Sequence, residues 1–170
     1  MFQKNFRIFG KKYIDWRILL KIIKNSYFIK IVYITLTIFF YSVAHSAEVP
    51  KELIIEDIDI GEGRIAVPGK EVAVHYTGWL FDIESEKNSL CESKGEQFDS
   101  SIDRGMPFQV ELGQGRVIQG WEEGLIGMKE DGKRCLVIPP HMGYGNRAVG
   151  GGLIPANSTL IFEIILLGVR

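Results

Sequence analysis

The stretch Thr159–Val169, "TLIFEIILLGV", constrains the fold most. Leu160, Phe162, Ile164 and Leu166 recur at every second position, which is the period of a β-strand. The opposite face carries only one charge, Glu163, so both faces call for cover and the strand belongs in the middle of a sheet. A second strand follows from Glu71–Leu80, where Val72, Val74 and Tyr76 alternate with Ala73, His75 and Thr77. Leu53–Ile58 is strand-like. "DGKRCLVIPP" is a turn into a strand with Leu136 and Ile138 on one face and Cys135 and Val137 on the other. "FDSSIDRGMPFQVEL" is a strand interrupted in the middle, because Gly105 and Pro107 imply a bulge or excursion.

Helical period is confined to "VIQGWEEGLIGM". Ile118, Trp121, Leu125 and Met128 lie on one stripe of a helix expected over Val117–Leu125, about two turns long before Gly124 and Gly127 weaken it. Glu122 and Glu123 are expected on its solvated face. Three stretches read as loops: 61–69, the polar 82–97, and the glycine-rich "HMGYGNRAVGGGLIPANS". The sum is an α+β domain of about five strands and one short helix. Six aromatic residues, Tyr76, Phe98, Phe108, Trp121, Tyr144 and Phe162, are spread over its elements. If the sheet wraps the helix, they converge over Trp121.

The chain has 170 residues, 20 basic and 21 acidic. Eight of the basic and one of the acidic fall within 1–47, which leaves 12 and 20 in 48–170, a net of −8. An acidic body argues against nucleic acid as the main partner. The basic leader runs into an uncharged stretch, Ile31–Val43, of signal-peptide length and short for a membrane span. Small residues follow, so residues 1–47 are expected to be a signal peptide cleaved near Ala44–Ala47. The alternative is an uncleaved anchor, which would leave the protein on a membrane. Export to a periplasm or outside the cell would permit a disulfide. Cys91 and Cys135 can form one bond, and Cys135, out of phase with Leu136 and Ile138, would then tether the 82–97 segment to the outer face of the sheet. Sequence alone leaves open whether the two thiols meet.

Motifs for nucleophilic or phosphate chemistry are missing. Gly113, Gly115 and Gly120 do not make a G-x-G-x-x-G, because Ile118 holds the last position, and no P-loop or G-x-S-x-G occurs. His45, His75 and His141 lack metal-ligand spacing, and His75 is expected to be a structural strand residue. Taken singly, the aromatic residues would form a core.

Four segments change that weighting. "VHYTGWL", "FDSSIDRGMPFQVELGQGRVIQGWEEGLIGM", "VIPPHMGYG" and "LIPANSTLIFEIILL" occur in this order between residues 53 and 170. Together they resemble an FKBP-type peptidyl-prolyl cis-trans isomerase. The resemblance implies a five-stranded antiparallel sheet wrapped around one short helix, with an isomerase domain over 63–170, a segment with the first strand over 48–62, and an insertion at 82–97. It implies a pocket whose catalytic residues are Tyr76, Phe98, Asp99, Trp121, Tyr144 and Ile154. Arg104, Phe108, Val117, Ile118, Leu153 and Phe162 would bind substrate. Trp121 would floor the pocket, the Tyr144 hydroxyl and the Ile154 N–H would bind substrate carbonyls, and Asp99 would support the site through Tyr76 and Arg104.

No metal or cofactor is implied. The partners would be Pro-containing polypeptides and macrolide immunosuppressant-type inhibitors, and a monomer is expected. The alternative function is a Pro-segment-binding module or chaperone with little turnover. Three departures stand out: Val110 where the family often has phenylalanine, which would open one wall of the pocket, Ala156 in place of a second proline with a glycine run at 150–152, and the long segment between Trp79 and Phe98.

Overall fold

The computed structural model describes residues 48–170 apart from 86 and 88, together with five separate helical positions at 17, 21, 27, 30 and 31. The expected leader and its cleavage site otherwise fall outside the described residues. The description below concerns residues 48–170.

Six strands form one antiparallel sheet: β1 (Ile54–Asp59), β2 (Glu71–Phe81), β3 (Lys94–Ser100), β4 (Phe108–Glu111), β5 (Lys133–Ile138) and β6 (Leu160–Val169). The order is β1-β5-β6-β2-β3, with β4 also on β2. Strand β6 is therefore internal, as its two apolar faces require. Its Leu160, Phe162, Ile164 and Leu166 are buried on the inner face beside Val72, Val74 and Tyr76 of β2.

Strands β3 and β4 are two halves of one interrupted edge. β3 pairs with the end of β2 from Thr77 onward, and β4 pairs with its beginning, Glu71 to Val74. Between them residues 101–107 leave the sheet, with Gly105 at φ +68°. At the gap Ser101 replaces the missing strand. Its N–H donates to the Tyr76 carbonyl at 3.0 Å, and its hydroxyl accepts the Tyr76 N–H at 2.8 Å. His75 Nδ1 lies 3.0 Å from the same hydroxyl, the structural role expected of it. The excursion thus costs no backbone hydrogen bond at the position where Tyr76 enters the interior.

The helix α1 (Gln119–Gly124) is shorter than the expected Val117–Leu125. Ile118 has extended ψ of 149° and stands as the N-cap, while Leu125 is the C-cap. Trp121, Leu125 and Met128 are buried, so three members of the apolar stripe do face the interior. Close approach to β5 depends on glycine. A Cβ on Gly120 would stand 2.5 Å from Ile138 Cγ2, and one on Gly124 would stand 2.6 Å from Leu136 Cδ1.

The outer face of the sheet has its own small apolar cluster. Cys91, Cys135, Val137 and Ile161 are buried there, with Ile54, Trp79, Phe81 and Leu90 against them. Cys91 lies in a short 3₁₀ turn, Leu90–Glu92, and is disulfide-bonded to Cys135 with Cα atoms 6.1 Å apart. Part of the segment expected to be loop is strand, since β3 begins at Lys94. Its charged residues and Gly95 mask the strand period in the sequence. Lys94 and Lys133 both pair with Glu163, the latter at 2.7 Å, and Lys94 also lies 4.5 Å from the Trp79 ring centroid. These partners account for the lone charge on the outer face of β6.

Candidate active site

Between the inner face of the sheet and α1 lies a pocket of about 440 Å³, a volume suited to a small ligand or a short peptide segment. Ten residues line it: Tyr76, Phe98, Asp99, Phe108, Arg116, Val117, Ile118, Trp121, Tyr144 and Phe162.

Trp121 organises the aromatic wall. Its ring meets Tyr76 at 5.0 Å, Phe162 at 5.3 Å and Phe108 at 5.9 Å between centroids, each edge-on at 80–87°. Phe98 closes the far side against Phe162 at 5.5 Å. Such perpendicular contacts fix ring orientation and contribute about 0.5–1.5 kcal/mol per pair beyond burial. Gly78 makes room for the last pair, because a Cβ there would lie 2.6 Å from the Phe98 ring and 2.8 Å from Phe162. The indole Nε1 of Trp121 is buried with no hydrogen-bond partner among the described residues. That orphan donor costs on the order of 1–3 kcal/mol and marks Trp121 as more than core filler.

One polar cluster sits at the aromatic edge. The Tyr76 phenol donates to Asp99 Oδ2 at 2.5 Å, and Arg104 donates to Asp99 Oδ1 and, at 3.0 Å, to the Tyr76 oxygen. Burial alone would raise the Asp99 carboxyl. The hydrogen bonds from Tyr76 and Arg104 and the charge of Arg104 outweigh it and hold the group below its ordinary range. Burial, reinforced by Asp99, pushes the Tyr76 phenol up. Tyr144 is raised by burial first and by the Asp99 charge second, and its hydroxyl has no partner among the described residues. It remains a protonated donor across the neutral range.

Nine of the twelve residues singled out from the sequence line the pocket, and three do not. Arg104 acts on the wall through Asp99 and Tyr76. Leu153 is 55 % exposed outside the lining. Ile154 is buried in the core, and its N–H donates to the Val149 carbonyl at 3.1 Å in a two-residue bridge. The N–H assigned to a substrate carbonyl is thus already committed. A different one is available: the N–H of Ile118, in the lining, has no hydrogen-bond partner among the described residues.

Two other expectations change. Glu122 is not simply a solvated helix residue. Its carboxylate accepts the backbone N–H of Gly113 at 2.5 Å and of Arg116 at 3.2 Å, and so shapes the loop entering α1. Val110 does not open a pocket wall but packs in the core at 6 % exposure. Arg116 is not legible as a lining residue in the sequence, because an arginine between glycine and valine has no periodic signal; its place immediately before Val117 and Ile118 is the available clue.

Comparison with known proteins supplies the remaining observation. The family described as FKBP-type peptidyl-prolyl cis-trans isomerase matches residues 62–167. An FK506-binding protein of Neisseria meningitidis is 54 % identical over 117 residues, covering 69 % of this chain and 95 % of the relative. One from Streptomyces anulatus is 46 % identical over 122 residues, covering 72 % and 90 %. Among solved structures, AtFKBP13 superposes with a TM-score of 0.57 at 34 % identity, covering 75 % of this chain and all of that one. FkpA from Escherichia coli gives 0.57 at 35 % identity over 79 % of this chain and 57 % of its own.

Proposed function

Because this chain belongs to the FKBP-type peptidyl-prolyl cis-trans isomerase family and is an enzyme of that activity, we propose that the pocket under Phe98 and Tyr144 rotates X–Pro bonds by desolvation and directed hydrogen bonding. The barrier is ~18–20 kcal/mol because rotation breaks amide resonance. No bond is cleaved, so no nucleophile is required. The planar amide is charge-separated and favoured by water. A ring-lined cavity removes that solvation and narrows the gap to the twisted form. The Tyr144 hydroxyl and the Ile118 N–H are the donors for carbonyl oxygens that rotate into place, and binding them better when twisted lowers the barrier. Asp99 and Arg104 hold the Tyr76 side of the wall rigid.

The arrangement of Tyr76, Phe108 and Phe162 around Trp121 carries this reading. The same cavity would take FK506-type macrolides, since the relatives are named for binding FK506. We place the protein outside the cytoplasm. A basic and apolar leader and the Cys91–Cys135 disulfide support export, because disulfides persist in oxidising compartments.

Exchange of a Pro-containing peptide, followed by NMR or protease-coupled cleavage, tests the proposal. Rate enhancement that a macrolide abolishes is expected. Peptide binding without enhancement would instead leave a Pro-segment-binding module or chaperone.

A further inference from the structure

We propose that Arg116 makes this isomerase select clients carrying a carboxylate within about two residues of the prolyl bond. The inference rests on the isomerase reading. Among the lining residues, two bear a formal charge, Asp99 and Arg116. Asp99 is neutralised by Arg104. Arg116 has no ion-pair partner among the described residues, so it sets the net charge felt at the pocket.

The local structure explains why it stays unpaired. Glu122 of α1 accepts one backbone N–H at each carboxylate oxygen, from Gly113 and from Arg116 itself. Glu111 instead accepts a hydrogen bond from Gln114 at 3.3 Å. The main chain of Arg116 is thereby pinned beside the pocket while its exposed guanidinium is left to a ligand. A guanidinium is a permanent cation with donors matched to carboxylate geometry. The remainder of residues 48–170 carries a strong negative excess, so an acid far from the proline gains nothing. Selection is local.

The test measures kcat/KM for peptides with Glu or Lys at each position within two residues of the proline, with a Leu peptide as reference. For the native protein, Glu over Lys should reach about two- to fivefold in at least one position, the scale of an exposed ion pair. The ratio should shrink toward one near 1 M salt, where the Debye length is about 3 Å. It should survive in Arg116→Lys and invert in Arg116→Glu. Because each ratio is taken within one enzyme, a general loss of activity in a variant does not affect it. Turnover of the Leu peptide with equal Glu and Lys rates at every position overturns the inference alone, as does a ratio unchanged in Arg116→Glu. No turnover of any peptide overturns the isomerase reading and this inference with it.

Discussion

Tyr76 and Asp99 sit diagonally across β2 and β3, where Gly78 is the register partner of Asp99, and the phenol reaches the carboxylate at 2.5 Å. The same phenol ring stands edge-on to Trp121. One side chain therefore links the charged cluster at the pocket rim to the aromatic floor, and a change at Asp99 reaches the site through Tyr76.

Asp99→Asn keeps the shape but removes the charge that holds Arg104. The expected result is a fall in kcat/KM of about tenfold, the equivalent of one charge-assisted hydrogen bond. Stability should change by at most about 1 kcal/mol, because the Asp99 side chain is 38 % exposed and water screens the pair. Tyr76→Phe should lower activity as well. The double variant should lose less than the product of the single losses, because both act through one contact. Independent effects would show that Tyr76 and Asp99 serve the site separately.

Gly120→Ala offers a second test. An alanine would favour an isolated helix by about 1 kcal/mol. Here the added methyl meets three Ile138 side-chain atoms at 2.5–2.9 Å. Overpacking of this kind costs typically ~1–3 kcal/mol, so the variant should be less stable than the native protein. Combining it with Ile138→Ala removes the colliding atoms. Chemical denaturation should then show the pair to be less destabilising than the two changes added. Strict additivity would mean that α1 is free to move off β5.

Much of this was legible because strand period and side-chain chemistry agree. β2 and β6 carry alternating apolar residues, and the burial follows that alternation, whereas β5 is buried on both faces from Arg134 to Ile138. The inward residues of β2 and the helix tryptophan converge as the wrapped-sheet reading requires. The misses fall where side-chain patterns carry no information. β3 starts among Lys94, Gly95 and Glu96, whose period is masked by charge and glycine. The Ile154 N–H is engaged by a backbone bridge to Val149, and backbone pairing across a glycine-rich loop leaves no mark in the sequence. Glu122 reads as a surface acid because its partners are main-chain N–H groups. Gly78, Gly120 and Gly124 are visible as glycines, but what each would strike is a matter of packing.

Acid should weaken the fold in part through Glu130. Hydrogen bonds from the Arg64 side chain and from the backbone N–H groups of Arg64 and Val169 hold its carboxyl at about 2, below the ordinary 4.5. The folded state thus binds this proton more weakly than the unfolded chain. The stabilisation is complete above about 4.5 and is lost as pH falls from there toward 2. Glu130→Gln cannot titrate. The difference in melting temperature between native and variant should be largest at neutral pH and close progressively below pH 4.5. A difference independent of pH would show that the glutamate charge contributes nothing to joining the Arg64 segment to the end of β6.

The disulfide should govern stability rather than catalysis. It closes a loop spanning a sequence separation of 44 residues, for which the chain-entropy relation gives about 4 kcal/mol. Cys91 and Cys135 belong to the outer-face cluster, whereas the pocket lies on the inner face, and neither residue lines it. Replacing both with serine should therefore lower the melting temperature by many degrees, with a further contribution from placing hydroxyls among Val137 and Ile161. Replacing both with alanine separates the crosslink from that polar burden. At a temperature well below either transition, the alanine pair should retain kcat/KM within about twofold. Loss of activity in a folded alanine pair would mean that the outer cluster sets the position of β5, and through Leu136 and Ile138 the position of α1 beneath the pocket.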